Sequence, residues 1–186
     1  KKEGTLKKNK EVIIQDLPGI YSLSPYTPEE IISRDYLLNG HPDVVVNVID
    51  STNLERNLYL TTQLLELGIQ VLIDLNMMDL LHKNGDTINI EKLSYSLNSK
   101  VIETSASSGK EIKELIKVMT STHEVVDSQM PEYPLFDNRC EVALDEIQSI
   151  IQPFVPKDQL RWYTIKVFER DELVKKGINL SDKQQA

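Results

Sequence analysis

The chain of 186 residues carries one cysteine, three histidines and seven glycines, and each scarcity closes off a class of chemistry. The lone Cys140 cannot form an internal disulfide and has no second thiol for a zinc cluster. A reducing compartment is therefore expected, with Cys140 a small half-buried hydrophobe on a helix. His41, His82 and His123 lie far apart without ligand spacing, which argues against a metal centre built from them. No apolar run approaches the roughly 20 residues of a membrane-crossing helix. The longest, Val44–Ile49 and Val71–Leu75, are strand-sized, so the chain reads as a soluble one. Positive charge is in deficit: a formal net charge of −8 leaves no basic surface to displace counterions, and a nucleic-acid partner is not expected. Neither G-x-G-x-x-G nor G-x-x-x-x-G-K-[ST] occurs. The first absence removes a dinucleotide-dependent oxidoreductase. An initiator methionine is also missing, and an opening at Lys1 points to a fragment.

What is present is an ordinary globular composition, 40% hydrophobic and 27% charged, at a length that allows one domain and a small second one. Thr5–Leu6 and Val12–Ile14, joined by Lys8–Asn9–Lys10, predict a hairpin. Thr27, Pro28 and Glu30 predict a capped helix with Ile31, Ile32, Tyr36 and Leu38 on its apolar face, stopped at Asn39–Gly40. Val44–Ile49 is β-branched and almost uniformly apolar, as in a parallel strand covered on both faces. Ser51–Thr52–Asn53 caps a helix closed by Gly68. Val71–Leu75 and Val101–Ile102 are further strands, with a short helix around Ile90–Leu97 and a last one through Ile112, Leu115, Ile116 and Met119. Strand and helix alternate, which predicts an α/β fold with an open, mostly parallel sheet over residues 1–122. Residues 123–138, with Pro131 and Pro134, read as a linker. Residues 139–186 read as part of a helical domain, with Cys140, Leu144, Ile147, Ile151 and Phe154 at helical spacing, then Trp162, Ile165, Phe168 and Leu173.

Open parallel sheets bind ligands beyond the carboxyl ends of their strands. Three strand exits here carry suitable residues. Asp16–Leu17–Pro18–Gly19 ends the run VIIQDLPG. An aspartate there can hold Mg2+ through a water, and a glycine three residues on lets its backbone N–H approach a terminal phosphate. The same letters also make a plain turn. Asn76–Met77–Met78–Asp79 follows the strand Val71–Leu75. A carboxylate is the natural bidentate acceptor for the N1–H and 2-amino donors of guanine, and adenine offers no such pair. Asn76 can donate to N7 and tie the loop to its neighbours. Asn47–Asp50 has the same spacing, but Asn47 falls inside a strand, so this pair reads as a strand ending in a helix-capping turn. Thr104–Ser105–Ala106–Ser107 follows the strand Val101–Ile102, and its small residues let backbone N–H groups meet the guanine O6. Three elements in this order, each at a strand exit, point to guanine-nucleotide binding.

The strings DLPGIYSLSPY (16–26), NLERNLYL (53–60) and LNMMD (75–79) resemble the cytoplasmic GTPase region of FeoB-type ferrous iron transporters, and the similarity runs over essentially the whole chain. The resemblance implies a Ras-like P-loop GTPase fold, then a helical domain proposed to slow GDP loss, then a membrane permease in the same polypeptide, at the cytoplasmic face of the bacterial cell membrane. It implies GTP or GDP and Mg2+ as ligands, with K+ a candidate addition, and GTP hydrolysis coupled to or regulating Fe2+ uptake. By motif match, Asp16 (through water) and Gly19 would serve Mg2+ and the γ-phosphate. Ile20 to Arg34 would form the second switch. Asn76 and Asp79 would read guanine, and Ser105, Ala106 and Ser107 would line the base. Met77 stands where GTPases often carry lysine. No catalytic group is identifiable, and a homo-oligomer is left open.

The departure is the phosphate cradle. Without G-x-x-x-x-G-K-[ST], the cradle, its lysine and the first-switch threonine would all lie before Lys1, and the phosphates lose most of their donors. The expectation is thus a GTPase parent and a chain that is no enzyme alone. The alternative is a protein-docking module derived from a G domain that has lost nucleotide. Asp74, a charge in an apolar strand, reads as a salt bridge or an exposed strand end.

Overall fold

Antiparallel pairing opens the chain: β1 (Lys2–Leu6) runs against β2 (Asn9–Asp16), with Lys2 opposite Asp16. The hairpin is longer than the sequence indicates because polar residues at both ends extend the ladder. This is a computed structural model, and it describes residues 2–7, 9–24, 27–106, 109, 111–121 and 136–178. Most of the expected linker, residues 123–135, lies outside the described residues.

Helix α1 (Pro28–Asn39) starts as its sequence dictates. Thr27 Oγ1 accepts from the N–H of Glu30 while the Glu30 carboxylate accepts from the N–H of Thr27, a reciprocal capping box with Pro28 in the first turn. The buried face is not the expected one. Ser33, Arg34 and Leu37 are buried, whereas Ile31 and Ile32 are exposed. The rotation of the helix is fixed by polar anchoring: Ser33 Oγ donates to the carbonyl of Pro18 at 3.1 Å, which turns the Ser33 side inward.

Three parallel strands follow, β3 (Val45–Asp50), β4 (Val71–Asn76) and β5 (Lys100–Glu103), in the order β3-β4-β5. β4 is central and buried along Val71–Leu75, as its apolar run predicts. Among the described residues β3 pairs with β4 alone, and Val48 is 57% exposed. Asn47 within it is buried and donates from Nδ2 to Thr61 Oγ1 at 2.8 Å. Asp50 caps the 3-10 turn Ser51–Asn53 by accepting from the N–H of Thr52, which leads into α2 (Leu54–Glu66). Helices α3 (Met78–Lys83) and α4 (Ile90–Leu97) cross from β4 to β5, and α5 (Ile112–Thr120) follows. Leu72, Ile102 and Val118 form a core cluster, with Val44, Val46, Leu115 and Met119 packed against it. Asp74 makes no ion pair among the described residues and is not exposed. It lies buried in β4, hydrogen-bonded to Thr104, because the alternation of the strand turns residue 74 to the same side as Leu72.

The chain divides into two units, Lys1–Leu64 with Ile69–Ser128, and Leu65–Gly68 with Gln129–Ala186. The second contains α6 (Asn138–Ile151), α7 (Leu160–Phe168) and α8 (Glu172–Gly177). Leu67, Leu144, Ile151, Trp162, Ile165, Val174 and Ile178 are buried apolar residues of this unit, while Phe154, Phe168 and Leu173, expected to pack, are exposed at their side chains. Arg161 binds Glu141 through two bonds of 2.8 Å and joins α7 to α6. Gly68 is required twice over: its φ is +70, and a Cβ would stand 2.8 Å from the Asp158 carbonyl oxygen.

The second unit buries charge as well as apolar surface. Lys166 is wholly buried and reaches Glu169 at 2.7 Å. Glu66 is also buried, and desolvation pushes its carboxyl up to about 7 against the opposing pull of Lys166. A folded-state value above the ordinary 4.5 means that the native state holds more protons than the unfolded chain between those pH values. Stability must fall as pH rises through this window. Urea unfolding followed by fluorescence of Trp162, the single tryptophan, should show a midpoint that drops from pH 5 to pH 8. Glu66→Gln should flatten that drop; a slope unchanged in the variant would exclude Glu66 as its source.

Candidate functional site

The exits of β4 and β5 meet in one interlocked turn. The ladder runs past the strands, with the N–H of Thr104 donating to the carbonyl of Leu75 at 2.8 Å and the N–H of Met78 donating to the carbonyl of Thr104 at 3.3 Å. Asn76 then uses its side chain. Its Oδ1 accepts from the N–H of Met77 at 2.8 Å and from the N–H of Ala106 at 3.1 Å. With the oxygen so engaged, Nδ2 has no partner among the described residues and remains a donor. Ser105 Oγ donates to Asp79 Oδ1 at 2.6 Å. That bond, with smaller contributions from the main-chain N–H groups of Asp79 and Leu80 and from the Lys83 charge, holds the Asp79 carboxyl below its ordinary range. Asp79 is therefore ionised at neutral pH. The turn needs a left-handed residue: Met77 has φ +64, a conformation that disfavours side chains, and its own side chain is exposed.

Asp16 and Gly19 stand at the exit of β2. The Asp16 carboxylate is exposed and unpartnered among the described residues, so a hydrated cation can reach it. Gly19 is required neither by a positive φ nor by packing, since a Cβ there would meet nothing within 4 Å. Leu17 and Pro18 are half-buried, and the Ser33 bond to Pro18 fastens this loop to α1. Among the described residues no hydrogen bond links Asp16–Gly19 to the turn at Asn76, Asp79, Ser105 and Ala106. Ser107 lies outside the described residues, as do Pro25 and Tyr26.

Sequence reasoning missed the residues that hold the segment after Gly19. Gln63 on α2 is buried, and its Oε1 accepts from the N–H of Leu23 at 2.6 Å and from Ser22 Oγ at 3.3 Å. Arg56 stacks over the Tyr21 ring at 4.1 Å. Both act across about 40 residues of sequence, where local periodicity carries no signal. Arg34 is buried with Nε and Nη1 lacking partners among the described residues; its nearest carboxylate is Asp35 at 3.6 Å.

A parallel α/β sheet with polar loops at adjacent strand exits, followed by helices, is the Ras-like G-domain architecture joined to a small helical domain. The chain belongs to the ferrous iron transport protein B family, whose model it matches over residues 1–119, and it matches the FeoB cytosolic helical domain over residues 136–186. It is 35% identical over 168 residues to the Fe(2+) transporter FeoB of Escherichia coli, covering 87% of this chain and 21% of that protein. To the Fe(2+) transport protein A/Fe(2+) transporter FeoB fusion protein of Porphyromonas gingivalis it is 49% identical over 115 residues, covering 61% of this chain and 14% of that one. The chain thus spans between a seventh and about a fifth of the length of these curated relatives. Among solved structures, NFeoB from S. thermophilus bound to GDP.AlF4- and K+ superposes with a TM-score of 0.89 at 47% identity, covering 99% of this chain and 71% of that chain. The mGMPPNP-bound form gives 0.88 at 47% identity, covering 99% and 69%. No described helix is long and apolar enough to cross a membrane.

One feature of the turn is open to direct measurement. Ser105→Ala removes the largest cause of the low Asp79 value, so the Asp79 carboxyl should titrate at higher pH in a carbon-detected NMR titration. A midpoint unmoved by the substitution would assign the lowering to another group.

Proposed function

We propose that this chain is the guanine-nucleotide-binding region of a ferrous iron transporter, in which GTP hydrolysis drives or regulates Fe2+ uptake through a permease portion of the same polypeptide. The observation that carries the reading is the turn in which Asn76 and Asp79 are locked to Ser105 and Ala106 at neighbouring strand exits. Asp79 is held ionised, the state required to accept N1–H and the 2-amino group of guanine together. Asn76 keeps Nδ2 for N7. The Ala106 N–H bonds the Asn76 side-chain carbonyl and so ties the turn after β5 to the base-reading loop. The solved relatives support the ligand class, since their forms hold GDP.AlF4- with K+ and mGMPPNP.

The loop of Asp16, Leu17, Pro18 and Gly19 is the proposed Mg2+ and γ-phosphate side. An exposed, unpartnered carboxylate fits a water-mediated Mg2+ contact, and Gly19 leaves open space for close approach of a phosphate oxygen. Bound Mg2+ would neutralise charge on the β- and γ-phosphates. The chain's own share is to orient the ligand: Ser33 fixes Pro18, and Gln63 and Arg56 hold the following segment. K+ is a further proposed ligand. We assign residues 1–122 to part of a G domain, 123–138 to a linker and 139–186 to part of a helical domain, with the whole at the cytoplasmic face of the bacterial membrane.

Two substitutions test the reading in the protein expressed from its complete gene. Asp79→Asn should weaken GDP binding by about a hundredfold, as two charge-assisted bonds are lost, while the fold persists. GDP affinity left at the parental level would remove Asp79 from base recognition. Asp16→Ala should lower Mg2+-dependent GTP turnover by at least about tenfold. Parental turnover in that variant would reduce the 16–19 loop to a turn, and the docking-module reading would replace the enzymatic one if guanine nucleotide fails to bind at all.

A further inference from the structure

Along β4, alternate residues share a face, so Leu72, Asp74 and Asn76 point to the same side of the sheet. Leu72 belongs to the core cluster with Ile102 and Val118, and Asn76 reaches Ala106 in the base turn. Asp74 sits between them, 5% exposed. It accepts a hydrogen bond of 2.6 Å from Thr104 Oγ1, itself 1% exposed. Asp74 to Thr104 and Asn76 to Ala106 are therefore two successive rungs, each spanning from β4 to the segment after β5. The upper rung is part of the base site. The lower one is buried beneath it.

Thr104 is held by all three of its polar groups. Its N–H donates to Leu75, its carbonyl accepts from Met78, and its hydroxyl donates to Asp74. The first two bonds are main-chain and would form with any residue at 74. Only the third depends on the side chain there. Burial over an apolar core disfavours a carboxylate and pushes the Asp74 carboxyl up, and the Thr104 hydroxyl is its single hydrogen-bond partner among the described residues. An apolar residue would occupy this strand position without that penalty. What the carboxylate contributes in return is a fixed rotamer and depth for Thr104, from which Ser105 and Ala106 take their directions toward Asp79 and Asn76.

We propose that Asp74 is a positioning residue of the base site: through Thr104 it sets the placement of the Ser105–Ala106 turn, and with it the lifetime of bound guanine nucleotide. This rests on the reading of Asn76, Asp79, Ser105 and Ala106 as the base site. Asp74 touches no ligand and acts only through the threonine.

The test is dissociation of fluorescent mant-GDP by stopped flow, in the protein expressed from its complete gene. Asp74→Ala and Thr104→Val should each raise the off-rate about five- to tenfold with little change in the on-rate. The double variant should be no faster than the faster single one, because both remove the same bond. Asp74→Asn keeps an acceptor for the Thr104 hydroxyl and should restore the off-rate to within about twofold of the parent, a rescue that a general loosening of the strand would not give. If Asp74→Ala fails to fold, Thr104→Val and Asp74→Asn carry the test between them. Off-rates at the parental value in Thr104→Val, or an Asp74→Asn variant as fast as Thr104→Val, overturn the proposal. Asp79→Asn is measured alongside. If it weakens GDP while Thr104→Val does not change the off-rate, only the role of Asp74 falls; if Asp79→Asn leaves GDP affinity intact, the base-site reading falls and takes this proposal with it.

Discussion

The amide oxygen of Asn76 accepts two main-chain hydrogen bonds at once, from Met77 and from Ala106, and the parallel registration of β4 against β5 is what permits it. Parallel strands run out on the same side of a sheet, so loops from distant parts of the sequence emerge as neighbours. Asn76 converts that proximity into a fixed geometry. Immediately after it, Met77 takes a left-handed backbone where the chain turns from β4 into α3. Asp79 is then carried by the first turn of α3 to the hydroxyl of Ser105. Loss of the carbonyl at residue 76 would remove one of the ties between the β4 loop and the β5 loop, leaving the Ser105–Asp79 and Met78–Thr104 bonds to hold them.

The two units handle buried polarity differently. In the first, several buried side chains are matched to uncharged partners: Asn47 to Thr61, Asp74 to Thr104, and Gln63 to the main chain at Leu23. In the second, charges are matched to charges, as in Arg161 with Glu141 and Lys166 with Glu169. A lost hydroxyl leaves a weaker deficit than a charge left without its partner.

Much of this was legible in the sequence where signals are local. The Thr27–Glu30 capping box, the stop at Gly40, the buried run of β4 and the helix over Ile90–Leu97 all follow from residues within one or two turns of each other. The three strand exits were legible too, because motif letters and strand ends coincide. What escaped was set by distant partners. The inward face of α1 is chosen by Ser33 binding Pro18, not by its isoleucines, and a periodicity count cannot register a bond across 15 residues. Asp74 looked like an exposed end because a lone charge in an apolar run gives no sign of a hydroxyl waiting 30 residues later.

Gln63 holds the segment after Gly19 with a carboxamide oxygen, bonding the N–H of Leu23 and the hydroxyl of Ser22. A neutral clasp of this kind is indifferent to ionic strength and has no proton to gain or lose near neutrality. Each bond contributes only about 1 kcal/mol net, within reach of thermal opening. In a cell whose salt and acidity fluctuate, this clasp would thus keep the same strength, in contrast to the Arg56 cation beside it on Tyr21.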